Sequence, residues 1–244
     1  MIRRKNRFNI HFLLLIKLCM FGALSQRRTG TFLGQIYLSY HRETSFMRIT
    51  LLLIVILLTG IFAQLAAQEV HDYEITLAGF NIGEMQATKI QKGDTTFFLL
   101  KSEVSFWLFG RINLDYVTEV KYVGDTFISS KVQSKSNRGN FLSRIWWDGD
   151  LYQIRANSYK YENNDQLAQA ITYSAVKLFY EEPKGISKMM AENYGKFASV
   201  ERTGEGQYTT LVEGNKNRYW YENGNMQRVS MQSPIKNYII QRKQ

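Results

Sequence analysis

From Glu69 onward the chain alternates apolar and polar positions with a period of two. In DYEITL, Tyr73, Ile75 and Leu77 share one face, while Asp72, Glu74 and Thr76 share the other. In NLDYVTEVKYV, Leu114, Tyr116, Val120 and Tyr122 alternate with Asn113, Asp115, Glu119 and Lys121. Successive side chains of a strand point to opposite faces, so both segments read as half-buried strands. Glycine-containing turn signals recur at strand-length spacing: NIG at 81–83, KGD at 92–94, VGD at 123–125, NRGN at 137–140, DGD at 148–150, TGEG at 203–206, EGN at 213–215 and ENGN at 222–225. Such punctuation implies a meander of antiparallel strands. Asn223-Gly224 is the strongest hairpin signal, because a type I′ turn needs positive φ at both central residues.

One segment breaks the alternation. DQLAQAITYSAVKLFYEEP, residues 165–183, combines good helix formers with an acidic residue at an N-cap position and a terminating Pro183. This predicts one substantial helix near residues 173–181, with Ala175, Leu178 and Phe179 facing the sheet. The expected fold is mainly β. It is a curved antiparallel meander of about ten strands, a half-barrel or roll, with the helix against its concave side.

Upstream of Glu69 the pattern is of another kind. Ile49 to Ala67 is a nearly unbroken apolar run, preceded by Met47 and Arg48 and ending in the small residues Ala63, Ala66 and Ala67. A basic start, an apolar stretch and small residues make up a secretory signal, placed at 47–68. Residues 1–46 hold a weaker apolar run interrupted by Lys17, without caps or turn chemistry. They read as a mis-assigned N-terminal extension, with translation starting at Met47; the alternatives are a long leader or a two-segment membrane anchor. About 19 apolar residues could also span a bilayer uncleaved. Residues 69–244 form a single β-rich domain, long enough to bury roughly 70% of its unfolded surface. The expected location is exported, periplasmic or extracellular, with no membrane span after signal cleavage. Cys19 is the one cysteine, so the mature part has no disulfide, and no cysteine follows the cleavage point for lipid attachment.

Charge changes the picture once it is localised. The chain carries +10 overall, but Lys and Arg outnumber acids heavily before residue 69, where Glu43 is the single acid. The remainder is near balance, about +2, which offers no electrostatic footprint for nucleic acid.

SAVKLFYEEPKGI at 174–186, YGKF at 194–197 and GQYTTLVEGNKNRYWYENGNM at 206–226 resemble a family of uncharacterised exported proteins typical of Bacteroidota. That family is similar in pattern to secreted bacterial proteins with a lipoprotein-carrier-like half-barrel. The resemblance spans roughly residues 70 to 240 and implies a location and a fold. It carries no functional residues.

The inventory of reactive groups argues against catalysis. His71 is the sole histidine after the signal, so neither a Ser-His-Asp triad nor a His/Cys zinc site has its parts, and His71 reads as a surface residue. Asp115 and Glu119 lie about 13 Å apart along one strand face, too far for a carboxylate pair, and read as solvated partners of lysines. Glu181 and Glu182 mark the end of the expected helix. No catalytic residue, metal site or cofactor is expected.

Aromatic residues are the remaining signal. FWLFG at 106–110, Trp146-Trp147 and Tyr219-Trp220-Tyr221 place large rings in succession, and neighbours on a strand must face opposite ways. Candidate ligand-binding residues are Trp107, Phe109, Tyr116, Trp146, Trp147, Phe179 and Trp220. They suit an exported, non-enzymatic cell-envelope protein that binds or carries an apolar ligand, a lipid or a lipoprotein acyl chain. The alternative is an envelope interaction or structural module whose interior is filled by its own side chains. An outer-membrane barrel shares the period, but the mid-chain helix and proline, the short turns and the polar C-terminus speak against it.

Overall fold

The structure is a computed structural model describing residues 67–107, 110–232 and 236–244. The expected extension at 1–46 and the signal segment at 47–68 lie outside these residues, apart from Ala67 and Gln68. The unit Leu65–Gln244 is compact in its own right.

The described residues form 14 strands. The first group is β1 (Ala67–Leu77), β2 (Phe80–Lys92), β3 (Thr95–Trp107), β4 (Arg111–Val123), β5 (Thr126–Ser136), β6 (Gly139–Trp147), β7 (Tyr152–Ser158) and β8 (Tyr161–Leu167). The second is β9 (Lys188–Ala191), β10 (Lys196–Gly204), β11 (Gln207–Val212), β12 (Asn215–Glu222), β13 (Asn225–Met231) and β14 (Tyr238–Arg242). All belong to one antiparallel sheet in the order β8-β7-β6-β5-β4-β3-β2-β1-β14-β13-β12-β11-β10-β9. Each hairpin neighbour in sequence is a neighbour in space, and the one long-range pairing is β1 with β14, where Ile75 faces Ile240. The chain thus winds outward from β1 to the edge at β8, crosses to the opposite edge at β9, and winds back.

That crossing curls the sheet. The β9–β10 turn reaches the inner face of the other edge, where the Asn163 side-chain amide donates to the carbonyls of Tyr194 at 3.3 Å and Gly195 at 3.1 Å. The Ser143 hydroxyl donates to the Asn193 carbonyl at 2.9 Å. β8 and β9 are not paired with each other, so the roll is held together by a turn and side chains rather than by a closed ladder.

The alternation predicted for DYEITL and NLDYVTEVKYV is realised in β1 and β4, with Tyr73, Ile75, Val120 and Tyr122 buried. The strand count exceeds the expected ten because several turns carry no recognisable signal, and they outnumber the one signal that is not a turn. Ala78-Gly79 joins β1 to β2 with φ of 51° and 88°, and Lys160 turns β7 into β8 at φ 59°. Gly83, read as part of a turn, sits inside β2, where a Cβ would collide with the Glu103 carbonyl of β3.

The substantial helix expected near 173–181 is absent. Only a single 3-10 turn forms, at Ala175–Phe179. The helix-forming composition is overridden because this segment is the crossing between the two sheet edges and runs through the interior. Ile171, Tyr173, Ser174, Val176, Leu178, Phe179 and Tyr180 are all buried, leaving no polar face for an amphipathic helix. Its backbone is bonded outward instead. Ile171 O accepts from Phe127 N–H at 3.1 Å, and Tyr173 O accepts from Met190 N–H at 2.9 Å. Leu178 O accepts from the Tyr221 hydroxyl at 2.9 Å. Carbonyls engaged in this way are not free to bond four residues along the chain.

Candidate functional site

The crossing segment plugs the roll toward one end. Phe98, Tyr122 and Phe127, near the β2–β3 and β4–β5 turns, form edge-to-face and tilted ring contacts around Tyr180 and each other. Toward the other end, where the β1–β2, β3–β4, β5–β6 and β7–β8 turns lie, the interior is hollow. It holds a cavity of about 410 Å³, within the range of small-molecule sites. Ile75, Leu100, Val104, Phe106, Leu114 and Ile240 form apolar walls, and Ala175, Val176, Phe179 and Met189 form the floor. The exposed residues Arg138, Tyr159 and Lys236 stand at its mouth.

A small polar group interrupts this surface. Tyr116, Tyr194, Tyr219 and Tyr238 line the cavity together with Glu192. Burial raises every one of these phenols above the ordinary tyrosine range, and the Tyr238 hydroxyl is pushed up to about 12. They are neutral at physiological pH and act as hydrogen-bonding groups, not as charges. Glu192 is 4% exposed. Its carboxylate accepts the Val176 N–H at 3.0 Å, at the start of the 3-10 turn. Burial nonetheless raises its pKa, outweighing the hydrogen bonds from Val176 and Ser174. Among the described residues lining the cavity it is the single carboxylate.

The residues singled out from sequence fall in several places. Tyr116 and Phe179 line the cavity. Trp107 ends β3 and is 77% exposed, its neighbour Phe106 pointing inward. Trp146 lies with Phe97 and Leu99 in a shallow depression on the convex face. Trp147 packs edge-on against Tyr152 at 4.9 Å between ring centres. Trp220 faces outward beneath the Arg228 guanidinium, 5.3 Å from its ring centre. Phe109 lies outside the described residues. Asp115 and Glu119 are exposed, with Glu119 3.7 Å from Lys131.

His71 is not the surface residue expected. It is 5% exposed, its Nδ1 is 3.1 Å from the Phe179 carbonyl, and its Nε2 is 3.0 Å from the Glu69 carboxylate. It shares the inward face of β1 with Tyr73, whose hydroxyl donates to the same carbonyl at 3.1 Å. The reading by sequence also missed Phe106, Tyr219 and Tyr238 as cavity residues. Strand parity signals the first two, because Trp107 and Trp220 cannot share a face with their neighbours. Nothing local to MMAEN signals a buried Glu192.

Residues 73–243 match a family described as a domain of unknown function (DUF6134). The chain belongs to that family. A β-barrel-like protein of the domain of unknown function DUF1849 from Brucella abortus is similar in structure, with a TM-score of 0.43 and 11% identity, covering 73% of this chain and 96% of that protein. No curated protein matches the DUF6134 chain in sequence. The family resemblance expected from SAVKLFYEEPKGI and its companions is therefore met as a domain of unknown function, a description that names neither location, source nor ligand.

Proposed function

We propose that this DUF6134 protein is an exported, non-enzymatic component of the cell envelope that holds an apolar ligand, such as a lipid acyl chain, inside its roll. The observation that carries the reading is the cavity of about 410 Å³ with apolar walls, a plugged floor and an open mouth. A void of that size in a fold of this length would hold roughly a dozen waters at about 30 Å³ each, and apolar walls give those waters few partners. An acyl chain satisfies the walls, and the neutral phenols offer hydrogen bonds to a polar group along it.

The convex face supports a water-facing protein over a membrane barrel. On β4 the outward residues include Arg111, Asn113, Asp115 and Glu119, all exposed. A membrane barrel requires the reverse, an apolar outside and a closed ladder. Among the described residues, no helix is long and apolar enough to cross a membrane. A glycosidase-like carboxylate pair is not supported either, since Glu192 is the single carboxylate among the described residues lining the cavity.

The test is purification of the unit Leu65–Gln244 without detergent, followed by native mass spectrometry and lipid extraction. An acyl-bearing molecule that co-purifies, and that is displaced by a Leu114→Trp substitution filling the cavity, supports the reading. A clean apo mass combined with no uptake of phenylnaphthylamine overturns it in favour of an interaction module. Export is tested on the whole chain by cell fractionation. A periplasmic or secreted product starting near Glu69 supports it, and a cytoplasmic product retaining Ile49 to Ala67 overturns it.

A further inference from the structure

The two ends of the roll differ in charge. At the plugged end, the turns and strand ends carry Asp94, Asp125, Asp148, Asp150, Glu205 and Glu222, all exposed, alongside the exposed bases Lys92, Lys184, Lys188 and Arg202. At the open end, the exposed turn and strand-end residues are Arg111, Arg138, Lys160, Lys216 and Lys236. The acids nearest that rim are Glu162, which accepts from Asn164, and Glu213, paired with Lys196 at 2.6 Å, while Glu84, Glu103 and Asp115 lie farther in on the outer face. The hairpin turns of residues 69–244, a segment near balance in sum, are therefore acidic at one end of the roll and basic at the other, which creates a directional field.

The basic rim is also where large apolar rings stand in water. Trp107 is 77% and Phe80 76% exposed, and Tyr159 beside the mouth is 46% exposed. Phe80 begins β2 and Trp107 ends β3, so both stand at the open end of the same hairpin. Aromatic rings settle at the headgroup level of a bilayer, and clustered Lys and Arg are drawn to anionic lipid. The rim offers both next to the cavity mouth, while the acidic turns at the far end are repelled by the same surface.

We infer that the open end docks on an anionic lipid bilayer, with Phe80 and Trp107 entering the headgroup region and the cavity mouth facing the membrane. This goes beyond ligand holding. Docking is read by vesicle binding and cavity occupancy by lipid extraction, so the failure of one is distinct from the failure of the other.

The experiment is co-sedimentation of the unit Leu65–Gln244 with vesicles of phosphatidylcholine alone or in equal parts with phosphatidylglycerol. Binding is expected to the anionic vesicles only, to weaken as salt is added, and to be accompanied by a blue shift of tryptophan fluorescence. The pair Phe80→Ser and Trp107→Ser, and separately the pair Arg138→Glu and Lys236→Glu, are each expected to weaken partitioning at least about tenfold. Asp148→Asn with Asp150→Asn at the far end leaves it unchanged. Thermal melting matched to the parent shows that each variant is folded. Equal binding to neutral vesicles, unchanged binding by the rim variants, or retention by polyglutamate without vesicle binding overturns the proposal. The last result would assign the rim to an acidic protein.

Discussion

The hydroxyl of Tyr221 on β12 donates to the carbonyl of Leu178 at 2.9 Å, joining a strand to a segment 43 residues earlier that crosses the interior of the roll. Tyr73 does the same from β1 to Phe179 O at 3.1 Å, and Tyr122 from β4 to the Ser174 hydroxyl at 2.8 Å. The crossing segment is pegged from the wall by phenols, which bring a large apolar ring and a donor to one place. Tyr221→Phe keeps the ring and orphans the Leu178 carbonyl, so a loss of about 1–3 kcal/mol is expected in denaturant unfolding. Tyr73→Phe is expected to cost less, because His71 Nδ1 also approaches the Phe179 carbonyl. Equal losses for the two variants would show that the phenols do not act as separate pegs.

Glu192 links stability to pH. Its folded pKa is raised above 4.5 by burial. The folded state then binds the proton more tightly than the unfolded chain, so the contribution to stability is fully present below the unfolded value and is lost as pH rises through the raised folded value. Glu192→Gln keeps an acceptor for the Val176 N–H and removes the titration. Melting temperatures measured across the acidic to neutral range should fall with pH for the parent and run flatter for the variant, with the variant gaining relative stability at the upper end. Parallel curves would show that the carboxyl is not held away from water.

The turn that brings the sheet edges together has no room for a side chain. Gly195 has φ +61°, and a Cβ there would collide with the Ile154 side chain on β7. Gly93 has a similar φ, +57°, with open space around it. Gly93→Ala should cost only the left-handed penalty, about 1–2 kcal/mol. Gly195→Ala should cost that plus an overpacking penalty of roughly 1–3 kcal/mol. Equal losses in urea unfolding would mean that the β9–β10 turn does not seat against β7.

These relationships mark the limit of what the sequence carried. The period-two segments in β1 and β4, and the Asn223-Gly224 turn between β12 and β13, depend on local alternation and local φ, and both are legible residue by residue. The crossing segment is not. ITYSAVKLFY has the composition of a helix, and it is denied one because Phe127, Met190, Tyr73 and Tyr221, all distant in sequence, claim its carbonyls. The same holds for the cavity. Parity identifies Phe106 as the inward ring of FWLFG, but that Tyr116, Tyr219, Tyr238 and Glu192 converge follows from curvature, which the alternation does not encode. The near balance of charge over residues 69–244 likewise hid the separation of acidic and basic turns, because only the order of hairpins assigns each turn to an end.

Phe106 and Trp107 are adjacent in the chain and opposite in role, which separates the two readings in one pair of variants. Phe106 lines the cavity, and Trp107 stands 77% exposed on the rim. Phe106→Ala removes apolar area from the wall. At about 25 cal/mol per Å² this should weaken phenylnaphthylamine binding roughly tenfold while leaving partitioning onto anionic vesicles intact. Trp107→Ala should do the opposite, because its ring contributes nothing to the cavity wall. A dye titration and a vesicle sedimentation on the same two proteins check both. If Trp107→Ala lowers dye affinity as much as Phe106→Ala does, the mouth and the interior are a single site, and the dye enters by way of the rim. If neither variant moves either readout, the strand-face argument that places one ring inside and the next outside is wrong.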